Sequence, residues 1–192
     1  MKTVTGLFDN YDAAKDAVNR LEAAGFPSDD ISIVSHHRED ESNAGTGAGV
    51  GAGVGAAIGG AGGLLTGLGI MAIPGVGPVV AAGWLAATLA GAVGGAVVGG
   101  VAGGLIGALT ESGVSEEDAH VYAESVRRGG SLVTARVPEE RAAEADAILA
   151  GTSRVDLAAR REVYTQEGWQ RFDPKAEPYT PEEIERERSR YL

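Results

Sequence analysis

The first stretch of the chain, residues 1–41, has apolar positions arranged as in a strand, a helix and a second strand. Residues 3–8, Thr-Val-Thr-Gly-Leu-Phe, are typical of a strand. The spacing of apolar residues from 11 to about 24 predicts a helix that Gly25 ends, and residues 30–35 predict the next strand. This part is therefore predicted to be a β-α-β unit.

The same kinds of pattern return in residues 111–164. Ser115-Glu116-Glu117-Asp118 resembles a capping box and predicts a helix to Arg128, followed by a strand at 131–137 and a helix at 138–150. A last edge strand is expected within residues 154–164, around Val155 and Leu157. The second half is thus predicted to be an α-β-α unit with an added strand.

The remaining C-terminal residues, 165–192, form an aromatic and proline-containing tail. Thr180-Pro181-Glu182-Glu183 is a capping box for a highly charged final helix. We expect the aromatic residues of this tail to pin it onto the α/β domain. The alternative is a docking segment for another protein.

Residues 42–110 separate the two halves and carry no charged side chain and no histidine. Their small residues recur every four positions, a spacing that places them on one face of a helix and lets two helices approach closely. Pro74, Gly75, Gly77 and Pro78 interrupt the pattern and predict a turn. We therefore predict a glycine-zipper helical hairpin with arms at 47–72 and 79–109, packed through Gly47, Gly51, Gly55, Gly59, Gly63, Gly67, Gly83, Gly91, Gly95, Gly99, Gly103 and Gly107.

A membrane suits this hairpin better than water does. Each interior glycine costs a soluble helix about 1 kcal/mol relative to alanine, whereas small faces favour helix packing in lipid. Either arm exceeds the roughly 20 residues that cross a bilayer. A flexible linker and a hairpin buried in a large soluble oligomer are the alternatives.

A spanning hairpin keeps both flanks on one side of the membrane, and the positive charges of the flanks favour cytoplasmic termini.

The predicted fold class is α/β: a small β-α-β plus α-β-α domain interrupted by a long glycine-zipper helical hairpin, with a charged C-terminal helix. Its parts are the first half-domain at 1–41, the transmembrane hairpin at 42–110, the second half-domain at 111–164 and the tail at 165–192.

Two stretches resemble a known family. Residues 3–9, with Ala24-Gly25-Phe26 and Ile31-Ser32-Ile33, resemble the general stress protein family that contains the bacterial heat-induced stress protein domain. Residues 120–133 are similar to the second half of those proteins, in which a Gly/Ala-rich membrane segment often separates the halves. The resemblance implies a role in stress and carries over no catalytic residue.

Composition narrows the function further. With 16 basic and 27 acidic residues the chain has a formal charge of -11, which disfavours binding to nucleic acid. It has no cysteine, so disulfides and thiolate chemistry are excluded. His36, His37 and His120 form no convincing metal site, and Tyr122, Arg127 and Arg128 are a weak candidate for an anion patch. No catalytic residue, cofactor or metal is predicted.

The predicted function is that of a non-enzymatic general stress protein in the inner membrane, with both termini cytoplasmic. It self-associates through the hairpin and presents an acidic interaction domain. The expected partners are membrane lipid, other copies of the chain and an unidentified protein. The alternatives are an oligomeric membrane pore and a soluble-domain ligand sensor with a passive anchor.

Overall fold

The computed structural model describes residues 1–36, 69–94 and 104–191, with only the backbone described for 90–94. The strands are β1 (Lys2–Phe8), β2 (Ile31–His36), β3 (Gly69–Ile73), β4 (Gly77–Gly83) and β5 (Ser131–Val137). The helices are α1 (Tyr11–Ala23), α2 (Trp84–Gly94), α3 (Gly104–Glu111), α4 (Glu116–Arg127), α5 (Ala142–Ala150), α6 (Leu157–Gln166) and α7 (Pro181–Arg188).

The five strands of the described residues form one antiparallel sheet in the order β1-β5-β2-β4-β3. β5 lies between β1 and β2 and pairs with both, with Leu7 opposite Leu132 on one side and Val34 opposite Leu132 on the other. β1, α1 and β2 follow one another in the predicted order, and β5 lies between the two strands and is antiparallel to both. The two halves of the chain thus meet inside the sheet.

Helices cover both faces of the sheet, which gives two apolar cores. On one face α1 and α5 pack over β1, β5 and β2, with Phe8, Ile31 and Ile33 buried beneath them. On the other face α2, α3 and α4 enclose a second core that includes Leu85 and Leu109. β2 is buried along its whole length because both of its faces are covered.

Residues 69–83 correct the predicted helical hairpin, because they form a β-hairpin that extends the sheet. β4 pairs with β2 along 79–83, so this stretch belongs to the α/β domain. The β-branched residues flanking the turn favour strands, and Gly75 and Gly77 take the positive φ angles of 76° and 100° within the turn region. The arms predicted at 47–72 and 79–109 are therefore wrong over 69–72 and 79–83.

In the rest of the second arm the structure describes α2 over Trp84–Gly94 and α3 over Gly104–Glu111, and the leucines of both helices face the second core. Within residues 1–36, 69–94 and 104–191, no helix combines the length and apolar character that a membrane crossing requires.

The edge strand expected at 154–164 is a helix instead. Asp156 accepts hydrogen bonds from the backbone N–H groups of Ala158 and Ala159 and so caps α6. Arg160 and Tyr164, one helical turn apart, are its buried side chains. This four-residue spacing identifies a helix.

Candidate interaction surfaces

Most of the glycines predicted to pack the zipper fall outside the described residues. Gly47, Gly51, Gly55, Gly59, Gly63, Gly67, Gly95, Gly99 and Gly103 are in this group. Gly91 lies in α2, and an added Cβ at Gly107 in α3 would meet nothing within 4 Å. Gly83 has φ +83° at the end of β4, where a Cβ would overlap with the carbonyl of Ile31. Gly83 is therefore needed for the chain to turn from β4 into α2, and it does not pack a helix.

The predicted turn residues Pro74, Gly75, Gly77 and Pro78 lie between β3 and the start of β4. A Cβ on Gly75 would come within 2.7 Å of the Asp173 carbonyl oxygen, and one on Gly77 within 2.9 Å of Pro178. The tail therefore packs directly against the hairpin.

The tail is also held at the C-terminal end of α4 by a cluster that we call the Arg128 cluster: Arg128, Glu124, Tyr164, Glu167 and Glu187. Arg128 is 8% exposed and donates hydrogen bonds to Glu124 (2.8 Å), Glu167 (2.6 Å) and Glu187 (3.1 Å). Its guanidinium carbon also lies 4.0 Å from the centre of the Tyr164 ring. One cation thus joins α4, the end of α6 and α7.

Apolar packing and a backbone contact add to this attachment. Ile184 of α7 is buried against Gly129, and Arg188 donates two hydrogen bonds to the Gly129 carbonyl oxygen, at 2.7 and 3.1 Å. Thr180 and Glu183 form the predicted capping box at the start of α7. Of the aromatic residues expected to pin the tail, Phe172 is buried in the second core, and Ile184 and Arg188 add contacts that the expectation did not include.

The electrostatics of the Arg128 cluster are those of a closed ion-pair network. Burial alone lowers the pKa of Arg128, but hydrogen bonds to Glu124 and Glu167 outweigh burial and raise it. Burial raises the pKa of Glu167, and the hydrogen bonds from Arg128 and Arg190 outweigh it and lower the pKa. Arg128 therefore already binds carboxylates of its own chain. The Tyr122 hydroxyl is hydrogen-bonded to the Thr5 hydroxyl, so Tyr122 and Arg128 do not form the anion patch considered from the sequence.

A second feature is a groove of about 520 Å³ between α3, the start of α4, the β3–β4 turn and the tail. Its walls include Leu105, Ile106 and Phe172, and Glu116, His120 and Arg171 provide polar groups. The Nε of Arg171 donates a hydrogen bond to Nε2 of His120 (2.8 Å), which places the proton of the neutral imidazole on Nδ1. Burial, and then the charge of Arg171, lower the pKa of His120.

The third feature is the outer edge of the sheet at β3. β3 pairs with β4 on one side, and on its other side no strand lies alongside it within the described part of the chain. Ile70 is 66% exposed there. The opposite edge, β1, is partly closed by the backbone N–H of Val155, which donates to the carbonyl oxygen of Leu7 (2.8 Å).

Of the three histidines, the structure describes two, and they lie in different elements. His36 is buried at the end of β2, His120 lies in α4, and His37 is outside the described residues. Among the residues placed by the structure, no group of three or more His, Asp or Glu side chains could hold a metal ion.

Sequence reasoning did not find the Arg128 cluster or the open edge of β3. The cluster joins residues up to 59 positions apart, so no local pattern indicates it. The strand signal at 69–73 was present in its apolar and β-branched residues, but the four-residue glycine period around it favoured a helix.

The fold and these surfaces define a mixed α/β protein with a five-stranded antiparallel sheet and a clasped C-terminal tail. Residues 3–71 match the family model described as the heat induced stress protein YflT domain. This match spans about a third of the chain and supports the resemblance to general stress proteins. No curated protein and no solved structure matches the chain significantly.

Proposed function

We propose that this protein is a non-enzymatic general stress protein that acts by self-association at the inner membrane, presenting its acidic α/β domain to the cytoplasm. The stress-related part is supported by the family match over residues 3–71. The observation that supports self-association is the uncharged, glycine-rich stretch 42–68, which connects β2 to β3.

The proposed membrane association is attachment to one surface of the bilayer, and it differs from the spanning hairpin expected from the sequence. Both ends of the connection 37–68 join strands of one sheet, so both lie on the same side of any membrane. Two crossings take about 40 residues, and this connection has 32. The proposal is therefore that the uncharged residues attach to the lipid surface layer without crossing it.

Fractionation tests the membrane part. Membranes from stressed cells should keep the full-length protein when they are washed with high salt, because apolar attachment is insensitive to ionic screening. Full release by salt, or recovery only in the cytosol, would reject apolar membrane attachment.

Crosslinking tests the self-association through the glycine register. Gly51→Leu with Gly55→Leu should shorten the ladder of crosslinked species, because bulky side chains keep small-residue faces apart. Ala52→Leu with Ala56→Leu is the matched control, since it adds the same side chains at the same spacing but off the register. Equal ladders in the two variants would contradict a role for the register.

A further inference from the structure

We propose that two copies of the chain join edge to edge through β3, so that their two sheets become one continuous sheet. This inference rests on the proposed self-association and names a surface for it. The surface consists of β3 and the adjoining face of β4.

The first observation is the chemistry of the edge itself. The outward N–H and C=O groups of β3 have no strand partner within the described residues, and an unpaired edge is a template for another strand. Proteins usually protect such edges with charge, proline or a covering segment. β3, Gly-Ile-Met-Ala-Ile, contains neither charge nor proline, whereas β1 begins at Lys2 and bonds to Val155.

The second observation is an apolar face beside the edge. Ile70 pairs with Val80 and Ala72 pairs with Pro78, so these four residues share one face of the hairpin. Ile70, Ala72 and Pro78 are exposed and Val80 is half-buried. This is the face that α1 and α5 cover over β1, β5 and β2. A strand added at the edge of β3 would place its own side chains beside Ile70 and Ala72 and so bury part of their exposed surface.

A second copy fits this surface better than another kind of partner does. An antiparallel pair of β3 strands with its two-fold axis at Met71 places Ile70 opposite Ala72 of the second copy, a large residue against a small one. Each copy has a formal charge of -11, so two copies repel least where they meet without charge. Residues 69–83 carry no charged side chain, which satisfies that condition.

A single charge on the edge tests the proposal in the full-length chain. Ile70→Lys should raise the dimer dissociation constant at least about tenfold in sedimentation experiments, because a lysine on an edge opposes strand pairing. Ala159→Lys, on the exposed surface of α6, adds the same charge elsewhere and should leave dimerisation unchanged. An unchanged dimer in Ile70→Lys would overturn the proposal. Circular dichroism of both variants shows whether the fold is intact.

The absence of cysteine allows a second test that does not depend on destabilisation. Met71→Cys places one thiol on the proposed two-fold axis, where two Cα atoms lie within the roughly 4.4–6.8 Å that a disulfide spans. Mild oxidation should give a covalent dimer with Met71→Cys and much less with Ala159→Cys. Equal yields from the two variants would count against the edge.

The two sets of variants separate this inference from the proposed function. Loss of assembly in Gly51→Leu with Gly55→Leu, but not in Ile70→Lys, would overturn the edge and leave the glycine register. Loss of assembly in Ile70→Lys alone would support pairing through the β3 edge and would reject assembly through the glycine register. A wild-type chain that stays monomeric at all concentrations tested would overturn both.

Discussion

Arg128 joins three parts of the C-terminal region through its hydrogen bonds to Glu124, Glu167 and Glu187. It is buried beside Glu124, which is 1% exposed, and it also bonds to Glu167 and Glu187. A buried ion pair is weak support for stability by itself, but removal of one partner leaves an uncompensated buried charge. The cost of losing Arg128 is therefore dominated by the carboxylates that remain.

Arg128→Met should lower the free energy of unfolding by about 3–5 kcal/mol, because it keeps much of the side-chain volume and removes the charge that Glu124 requires. Arg20→Met is the matched control, since Arg20 pairs with Asp16 on an exposed helix surface with the two side chains 56% and 52% exposed. That change should stay within about 0.5 kcal/mol. Urea unfolding followed by circular dichroism measures both, and similar losses would contradict the assigned role of Arg128.

His120 introduces a dependence on pH. Its pKa in the fold is lower than the ordinary 6.5, through burial first and the charge of Arg171 second, while Glu116 acts in the opposite direction. The unfolded chain therefore takes up a proton at a higher pH than the folded chain does. The contribution of neutral His120 to the stability of the fold is therefore complete above about pH 6.5 and is lost as the pH falls below that value.

His120→Gln should reduce the loss of stability between about pH 7.5 and about pH 5.5, because glutamine can accept the hydrogen bond from Arg171 and does not titrate. The measurement is the free energy of unfolding at both pH values for wild type and variant. The difference between the two chains removes the contribution of the other histidines. If the two chains lost stability equally over this range, the pKa of His120 would not be lowered in the fold.

Among the elements, α4 is the helix to which the tail is attached at both ends. At its start Glu116 and His120 bond to Arg171, and at its end Arg128 and Gly129 hold α7. α4 also packs on α3, on α6 and on the sheet. The tail is thus fixed to the same element that carries the second core, and movement of α7 need not open the core on the α1 side.

Gly129→Ala should release α7, whereas Gly25→Ala should not. Both glycines directly follow a helix cap with positive φ, +95° and +82°, so alanine is strained at both. Only at Gly129 would the new Cβ overlap with Ile184, since nothing lies within 4 Å of a Cβ at Gly25. Hydrogen exchange of the α7 amides measures the release, and equal exchange in the two variants would contradict it.

Elements with a local signal could be predicted from the sequence. The helices α1 and α4 each have an N-cap and an αL glycine, and α7 has its capping box. The β-hairpin at 69–83 could not be separated from a helix in this way, because its small residues satisfy a four-residue period and its strands are short. Pairing with β2, a tertiary contact, decides its structure.

At the scale of the whole molecule, the sequence indicates two half-domains but not how they interlock. Nothing local shows that Val133 of β5 pairs with Gly6 on one side and Ile33 on the other. The candidate surfaces depend on the same long-range arrangement, because β3 becomes an edge only through the strand order. The predicted tail helix could be located, but the carboxylates that meet Arg128 could not.

The position of β5 has a consequence for synthesis of the protein on the ribosome. β1 and β2 are complete after residue 36, yet the strand that joins them begins at Ser131. A nascent chain therefore carries its uncharged stretch, residues 42–110, through translation before the sheet can close. During that interval β2 can pair with β4, but β1 has no strand partner, and its apolar residues are open to aggregation until β5 has emerged.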